Sequence, residues 1–433
     1  MQDVVIRIQL LKPILILFLI LMLTTVAWAA MSDYEIAVGD QDFTVTRIAD
    51  AAGSDLLIWL APGHGTSERA IRVGEKLARQ GIEVWYVNMA ENLFLPNSTT
   101  TMRNLNGENV NRLIRAAHKK TGKRITLIAR SYGALPVLKG ARLWQQQEAR
   151  QPTIQRQQYL TGAILFSPEL YATIPALGKA PVYDPIASSN TFPVMIHQAE
   201  KRGNRWQLGS LLQNLNSNGA EVFFRLRKGV AGMFYSGDTS DATLQAQDSL
   251  PHQIMTDIKL LAAVNTPYRT VVLNKTIDEA SSGLDTALKA YSGKMHPRSL
   301  ELQSVKGGLI SRKNYKNRVT IINFWATWCP PCVKEIPSLN RLRNKMRGKP
   351  FELISVNYAE NKDRVNSFFE RVHVSYPVLL DEDGRESAAW NVIVYPSTFV
   401  IGPDGNIAYG VNGAIEWDSD EVVSALNRLL NKR

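Results

Sequence analysis

The sequence predicts an α/β protein of two domains, and three observations carry the prediction. Between residues 55 and 200, short apolar runs at 56–60, 82–87 and 125–129 alternate with stretches whose apolar residues recur at helical spacing, the pattern of a parallel sheet covered by helices. Farther on, a mostly apolar run at 319–324 of the kind buried on both faces passes directly into Trp325-Ala326-Thr327-Trp328-Cys329-Pro330-Pro331-Cys332 and then into helical composition. Removing an apolar leader from the 433 residues leaves about 400, too many for one hydrophobic core. The expected division is a leader at 1–30, a first domain at 31–273, a linker at 274–297 and a second domain at 298–433.

The leader carries Arg7 and Lys12, then an uncharged apolar run at 13–30 that ends in Ala27-Trp28-Ala29, a small-x-small cleavage pattern. It reads as a signal peptide; an uncleaved anchor through 13–30 is the alternative, because a run of this length is at the lower limit of what spans a bilayer. Either way the expectation is a periplasmic or otherwise extracytoplasmic protein. No cysteine follows the run, so lipoprotein anchoring is excluded. With 45% hydrophobic and 21% charged residues, the composition is that of a globular protein rather than a disordered one. The net charge of +11 could point to nucleic acid, but the basic residues are scattered and no stacking motif accompanies them. A solvated surface near anionic lipid accounts for the charge, and no nucleic-acid partner is expected.

In the first domain, residues 35–48 read as a hairpin around Gly39-Asp40. The strand at 56–60 ends in Ala61-Pro62-Gly63-His64-Gly65, and Ala70, Val73, Leu77 and Ala78 then share one helical face. The strand at 125–129 runs into Arg130-Ser131-Tyr132-Gly133, a strand-turn-helix context that suits a serine nucleophile elbow. Ala163 to Pro168 and Pro193 to His197 supply further strands. This order resembles the α/β-hydrolases over about residues 31–265. The resemblance implies Ser131 as nucleophile, an oxyanion donor near His64, and as acid either Glu200, displaced from the usual position, or a more distant Asp. Three departures count against catalysis. Ala129 replaces the first glycine of the elbow, no histidine follows the strand near 222–224, and His252 lies about twenty residues beyond the usual place for the base. A serine without a neighbouring base is a weak nucleophile. Ser131 is then a retained turn residue in one reading and a nucleophile in the other, and His197 reads as a satisfied polar group within the sheet.

From 274 to 297 the pattern weakens into a Ser-, Gly- and Lys-containing stretch with one short helix expected at 284–291. The second domain opens with 302–305 and a turn at Gly307-Gly308. After the Cys-containing segment come a strand at 351–357, a helix at 365–372, a strand at 377–380, a hairpin across Pro403-Asp404-Gly405 and a last helix starting at 418–421.

Cys329 and Cys332 are the only cysteines. A Cys-x-x-Cys pair where a strand turns into a helix puts the first sulfur at the helix N-terminus, where free N–H groups and the helix dipole favour a thiolate. Cys329 is therefore the expected nucleophile. Cys332, one turn further in, is shielded and near enough to resolve a mixed disulfide. A zinc half-site is the competing reading; zinc needs about four ligands, and neither a second Cys pair nor a suitably spaced histidine is present. No metal or separate cofactor is expected beyond a redox-active Cys329–Cys332 disulfide.

The segment from Phe324 to Cys332, with Glu335 and Pro337, resembles the TlpA-like branch of the thioredoxin superfamily, and the likeness extends from about Leu302 onward through Tyr376-Pro377 and Tyr395-Pro396-Ser397-Thr398-Phe399. The resemblance implies a thioredoxin-like fold, an envelope thiol-disulfide oxidoreductase, exported disulfide-containing protein partners and a membrane electron donor. It also implies that Pro396 is a cis-proline facing the sulfurs, that Glu335 is a buried acid tuning the site, and that Asn323 stands where ordinary thioredoxins keep an Asp. An exposed helix carboxylate is the other reading of Glu335. Trp328 and Pro396 would shape the docking surface, and Tyr395, bulkier than the residue usual before that proline, would alter which partners dock. The whole chain then reads as an exported oxidoreductase whose hydrolase-like domain docks clients, with a serine hydrolase carrying a redox module as the alternative.

Overall fold

The structure is a computed structural model that describes residues 30–49, 53–63, 67–234, 238–264, 268, 271–273, 284–293, 296–311 and 317–431. Residues 1–29 of the expected leader, His64 and residues 274–283 lie outside the described residues, while Ala30 begins the first strand. No described helix is long and apolar enough to cross a membrane.

β1 (Ala30–Val38) and β2 (Gln41–Ala49) form an antiparallel hairpin whose turn carries Gly39 at φ 70°. β3 (Asp55–Leu60), β4 (Ile82–Val87), β5 (Arg124–Arg130), β6 (Leu160–Phe166), β7 (Val194–Ala199) and β8 (Val222–Arg227) complete an eight-stranded sheet of order β1-β2-β4-β3-β5-β6-β7-β8. Every pairing from β4 through β8 is parallel. Such strands are covered on both faces, which is why β4, β6 and β7 are buried at every position and show no alternation of buried and exposed residues.

Helices α1 (Glu68–Ala78), α2 (Glu108–Thr121), α3 (Ala134–Ala149) and α4 (Asp241–Ala262) cover the sheet. Two apolar clusters result, one containing Leu56, Ile58, Leu113, Leu138 and Trp144, the other Leu57, Trp59, Val73, Leu77, Ile254 and Leu261. α2 and α3 approach closely at Gly140, where a Cβ would stand 2.6 Å from Val110. α4 lies so near β6 that a Cβ on Gly162 would meet Leu261 at 2.8 Å.

The second unit is a six-stranded sheet of order β14-β13-β12-β15-β16-β9, built from β9 (Lys289–Ala290), β12 (Val319–Trp325), β13 (Phe351–Tyr358), β14 (Val378–Asp381), β15 (Ser397–Ile401) and β16 (Ile407–Asn412). β10 (Glu301–Gln303) and β11 (Leu309–Ser311) pair as a separate hairpin. α5 (Pro330–Lys345), α6 (Lys362–Phe369), α7 (Arg385–Ala389) and α8 (Asp420–Asn431) accompany the sheet. β12, buried at all seven positions, lies between parallel β13 and antiparallel β15.

The helix expected at 284–291 is a correction. Residues 289–290 form β9 instead, pairing Tyr409 with Ala290 and Gly410 with Lys289. Asp285 also accepts the Asn412 N–H at 2.8 Å, so the end of the expected linker belongs to the second sheet. Pairing with an available sheet edge outweighs a weak local helix preference over so few residues.

The two units meet directly. Asn412 Nδ2 donates to the Pro175 carbonyl at 2.7 Å, and Asn391 Nδ2 to that of Gly178 at 3.2 Å. Leu177 packs on the apolar cluster containing Phe324, Trp390 and Phe399. Gly203 lies so close to the second unit that a Cβ would stand 2.9 Å from the Ile393 carbonyl oxygen.

Candidate active site

β12 delivers the chain to the sulfurs. After Trp325 the backbone leaves the sheet, and Cys329 becomes the N-cap of α5, in extended conformation with its Sγ accepting the Cys332 N–H at 3.3 Å. Pro330 and Pro331 occupy the first turn, where a missing N–H costs nothing. Cys329 and Cys332 are joined as a disulfide, and both are buried, at 4% and 1% exposure. The preceding loop is fixed from β13's end: Glu360 accepts the Thr327 N–H at 2.8 Å and hydroxyl at 2.6 Å, and Asn357 Nδ2 at 2.9 Å.

Glu335 lies one turn beyond Cys332 and is buried rather than exposed. Its carboxylate accepts Asn323 Nδ2 at 2.8 Å and Trp417 Nε1 at 3.0 Å, and Asn323 also donates to Thr398 Oγ1 at 2.9 Å. Burial raises the carboxyl to about 7 against the opposing pull of these donors, so desolvation prevails and the group changes charge near neutrality. Tyr395–Pro396 is a cis peptide, and the Tyr395 ring stacks on Tyr358 at 4.8 Å and meets Trp328 edge-on at 6.1 Å.

A cavity of about 610 Å³ lies between the two units. Trp328, Cys329, Pro330, Pro331 and Tyr395 line it from one side, and Ser131, Glu169, Arg202 and Phe234 from the other. Ser131 stands where β5 turns into helix, with φ 51°, in the left-handed region unfavourable for a residue with a Cβ. A strained strand-to-helix turn is what the expected elbow requires, but the turn by itself does not make Ser131 a nucleophile.

Among the described residues, the remaining triad candidates do not assemble around it. Glu200 accepts the Gly229 N–H at 2.8 Å and does not line the cavity, because the turn after β7 aims its carboxylate at the loop following β8. His252 sits exposed in the middle of α4, whose continuous helix prevents the foldback needed to reach Ser131. His64 lies outside the described residues. His197 does line the cavity, but its Nε2 bonds the Asp257 carboxylate at 2.7 Å and its Nδ1 is met by Arg227 Nη2. Desolvation by burial lowers its pKa to about 4, so the ring is neutral, and with both nitrogens engaged it has none free to accept a serine proton.

Sequence reasoning missed Glu169 and Arg202. Arg202 pairs with Glu169 at 3.0 Å, and the Glu169 carboxyl is raised by burial despite the opposing influence of Arg202 and the Ser131 hydroxyl. The available signal was position: Glu169 follows β6 by three residues, at the same end of the sheet as Ser131. Among the described residues no group of three His, Cys, Asp or Glu side chains could hold a metal ion.

Residues 293–410 match the model of the AhpC/TSA family. The thiol-disulfide oxidoreductase ResA of Bacillus subtilis (strain 168) is 33% identical over 114 residues, covering 26% of this chain and 64% of that protein. ResA of Bacillus thuringiensis subsp. konkukian (strain 97-27) is 32% identical over 125 residues, 29% of this chain and 72% of that protein. The match to the first of these thus spans less than two thirds of the relative's own length. Among solved structures, StoA from Bacillus subtilis is 25% identical with a TM-score of 0.27, covering 31% of this chain and 96% of that one. Through the thioredoxin-fold domain that carries Cys329 and Cys332, the chain belongs to the family of the ResA thiol-disulfide oxidoreductases.

Proposed function

We propose that this protein is an exported oxidoreductase that reduces or exchanges disulfides in extracytoplasmic proteins, with the first domain as the module that docks the client. The observation that carries the reading is Cys329 at the N-cap of α5, bonded to Cys332 and lining a cavity shared by the two units. In the reduced protein the Cys329 thiolate, favoured by the helix N-terminus, attacks one sulfur of a client disulfide and displaces a client thiolate. Cys332 then attacks Cys329 Sγ, releasing the second client sulfur as a thiolate and re-forming the Cys329–Cys332 disulfide. The client gains two electrons and the dithiol loses two; the reverse order of steps oxidises a client. Glu335, buried one turn behind Cys332, is suited to take up or return the proton of the resolving thiol. The charged start of the leader, its apolar run and Ala27-Trp28-Ala29 support export.

The test is trapping in the envelope. Cys332→Ser should accumulate covalent complexes that dithiothreitol releases, whereas Cys329→Ser should form none and lose disulfide reduction. Retained activity in Cys329→Ser would refute the assignment.

A second reading, serine hydrolysis, is favoured by the φ of 51° at Ser131. The engaged nitrogens of His197 and the remoteness of His252 weigh against it. Covalent labelling by a fluorophosphonate, lost in Ser131→Ala, would establish hydrolysis; an unlabelled serine leaves the domain as a docking module.

A further inference from the structure

The cavity that gives access to Cys329 has an unbalanced charge. Arg130, Arg202 and Arg227 line it against a single carboxylate, Glu169, among the described lining residues. Arg202 is paired with Glu169 at 3.0 Å yet retains one third of its side-chain exposure. Arg227 lies against His197 Nδ1, while the Asp257 carboxylate is taken by Arg225 at 2.8 Å and His197 at 2.7 Å. Among the described residues no carboxylate pairs with Arg130, which lies over the Phe234 ring at 5.9 Å on the first-domain side. Guanidinium groups held in a partly dry cavity attract anions more strongly than surface cations do, because little water screens them.

Size narrows the occupant. About 610 Å³ is room for a drug-sized molecule or a short stretch of chain, and Cys329 at 4% exposure cannot be met by the surface of a folded domain. We infer that the cavity receives an extended, acid-flanked cysteine segment of a client protein, with its carboxylates on Arg130 and Arg202 and its disulfide sulfur at Cys329. This rests on the redox reading above and gives the first domain a definite role, which is to select unfolded acidic segments by charge and to exclude folded surfaces. The reaction is the same exchange, in which the segment's disulfide takes two electrons from the dithiol and leaves as two thiols.

The experiment uses the full chain, reduced and freed of reductant, with oxidation followed by stopped-flow tryptophan fluorescence. The probes are symmetric disulfides of three end-blocked tripeptides, Asp-Cys-Glu, Ser-Cys-Ser and Lys-Cys-Lys. Each rate is divided by the same peptide's rate with dithiothreitol to remove intrinsic reactivity. The acidic peptide should react at least about tenfold faster than the neutral one at low salt, the cationic one slower than either, and the spread should narrow as salt rises. Arg130→Gln should cut the acidic-to-neutral ratio to about threefold or less, Arg130→Lys should restore it, and Lys119→Gln, an equal charge change at an exposed position on α2, should leave it intact. Equal rates for the three peptides in the unmodified chain, or an equal fall in Lys119→Gln, would overturn the inference while leaving the redox reading standing. No reaction with any peptide would sink both. Glutathione disulfide outpacing the acidic peptide would replace the chain segment with a small acidic disulfide as the occupant.

Discussion

At the scale of single residues, Glu335 is the group whose behaviour the fold alters most usefully. Its carboxyl is raised from 4.5 to about 7 by burial, so the folded protein binds this proton more tightly than the unfolded chain. The sign follows: stability associated with the group is complete below about pH 4.5 and is lost as pH rises through about 7. The span corresponds to about 3 kcal/mol. Urea unfolding of the oxidised protein should therefore show a loss between pH 5 and pH 8 that Glu335→Gln largely abolishes. Identical pH profiles for the two proteins would show that the buried acid does not titrate in this range. A kinetic counterpart is expected in the reduced protein, where Glu335→Gln should slow resolution of the mixed disulfide and change its pH dependence, a change that a purely structural role would not produce. The strand-to-helix placement of the two sulfurs was legible in the sequence, because a Cys-x-x-Cys pair is specified by neighbours within one turn. Glu169 was not, because its significance depends on Arg202, thirty-three residues away, and on Ser131, which only the sheet brings near.

At the scale of elements, the loop between β12 and α5 owes its shape to a carboxylate from elsewhere. Glu360 holds the Thr327 N–H and hydroxyl together with Asn357, all part of a partly or fully buried network. Glu360→Ala leaves those donors without an acceptor, which costs about 1 to 3 kcal/mol where they are sealed from water. Thermal unfolding should report that loss, and the reduced variant should react more slowly with every peptide disulfide alike, since the nucleophile's loop is loosened rather than its charge environment changed. A slower rate confined to acidic peptides would contradict this division of labour. The strands were legible for a related reason: a strand covered on both faces is mostly apolar without alternation, so β4, β6, β7 and β12 announce themselves despite Glu83, His197, Gln198 and Asn323 within them. β9 was hidden, because two residues added to an existing edge carry no periodic signal. α4 was hidden as well, since Pro251 and the polar residues around it interrupt the helical pattern that packing against β6 sustains.

At the scale of the whole molecule, the contact between the units borders the cavity that Cys329 lines. Gly203 is one residue that allows close approach, because a side chain there would collide with the Ile393 carbonyl and the Tyr395 ring, at 2.9 Å and 3.0 Å from a Cβ. Gly203→Leu should wedge the units apart at one edge without disturbing either core. In the reduced protein, alkylation of Cys329 by a bulky polyethylene-glycol maleimide should then accelerate at least about tenfold relative to N-ethylmaleimide, as expected when a sterically guarded site is opened. An unchanged ratio would mean that the units part readily without help and that the cavity does not filter. None of this was legible in the sequence, which predicts each domain from its own periodicity but has no local signature for a surface formed between residues such as Asn412 and Pro175, 237 positions apart.

The short strand β9 has a practical consequence for dissecting the protein. It covers the outer side of β16, which would otherwise present a row of unpaired N–H and C=O groups to solvent. A truncation begun at residue 298, where sequence periodicity alone would place the cut, strips away that cover and leaves a bare margin prone to stick to its own copies. One begun at residue 284 keeps Asp285 on Asn412 and Lys289 on Gly410, and should stay monomeric at concentrations where the shorter fragment precipitates.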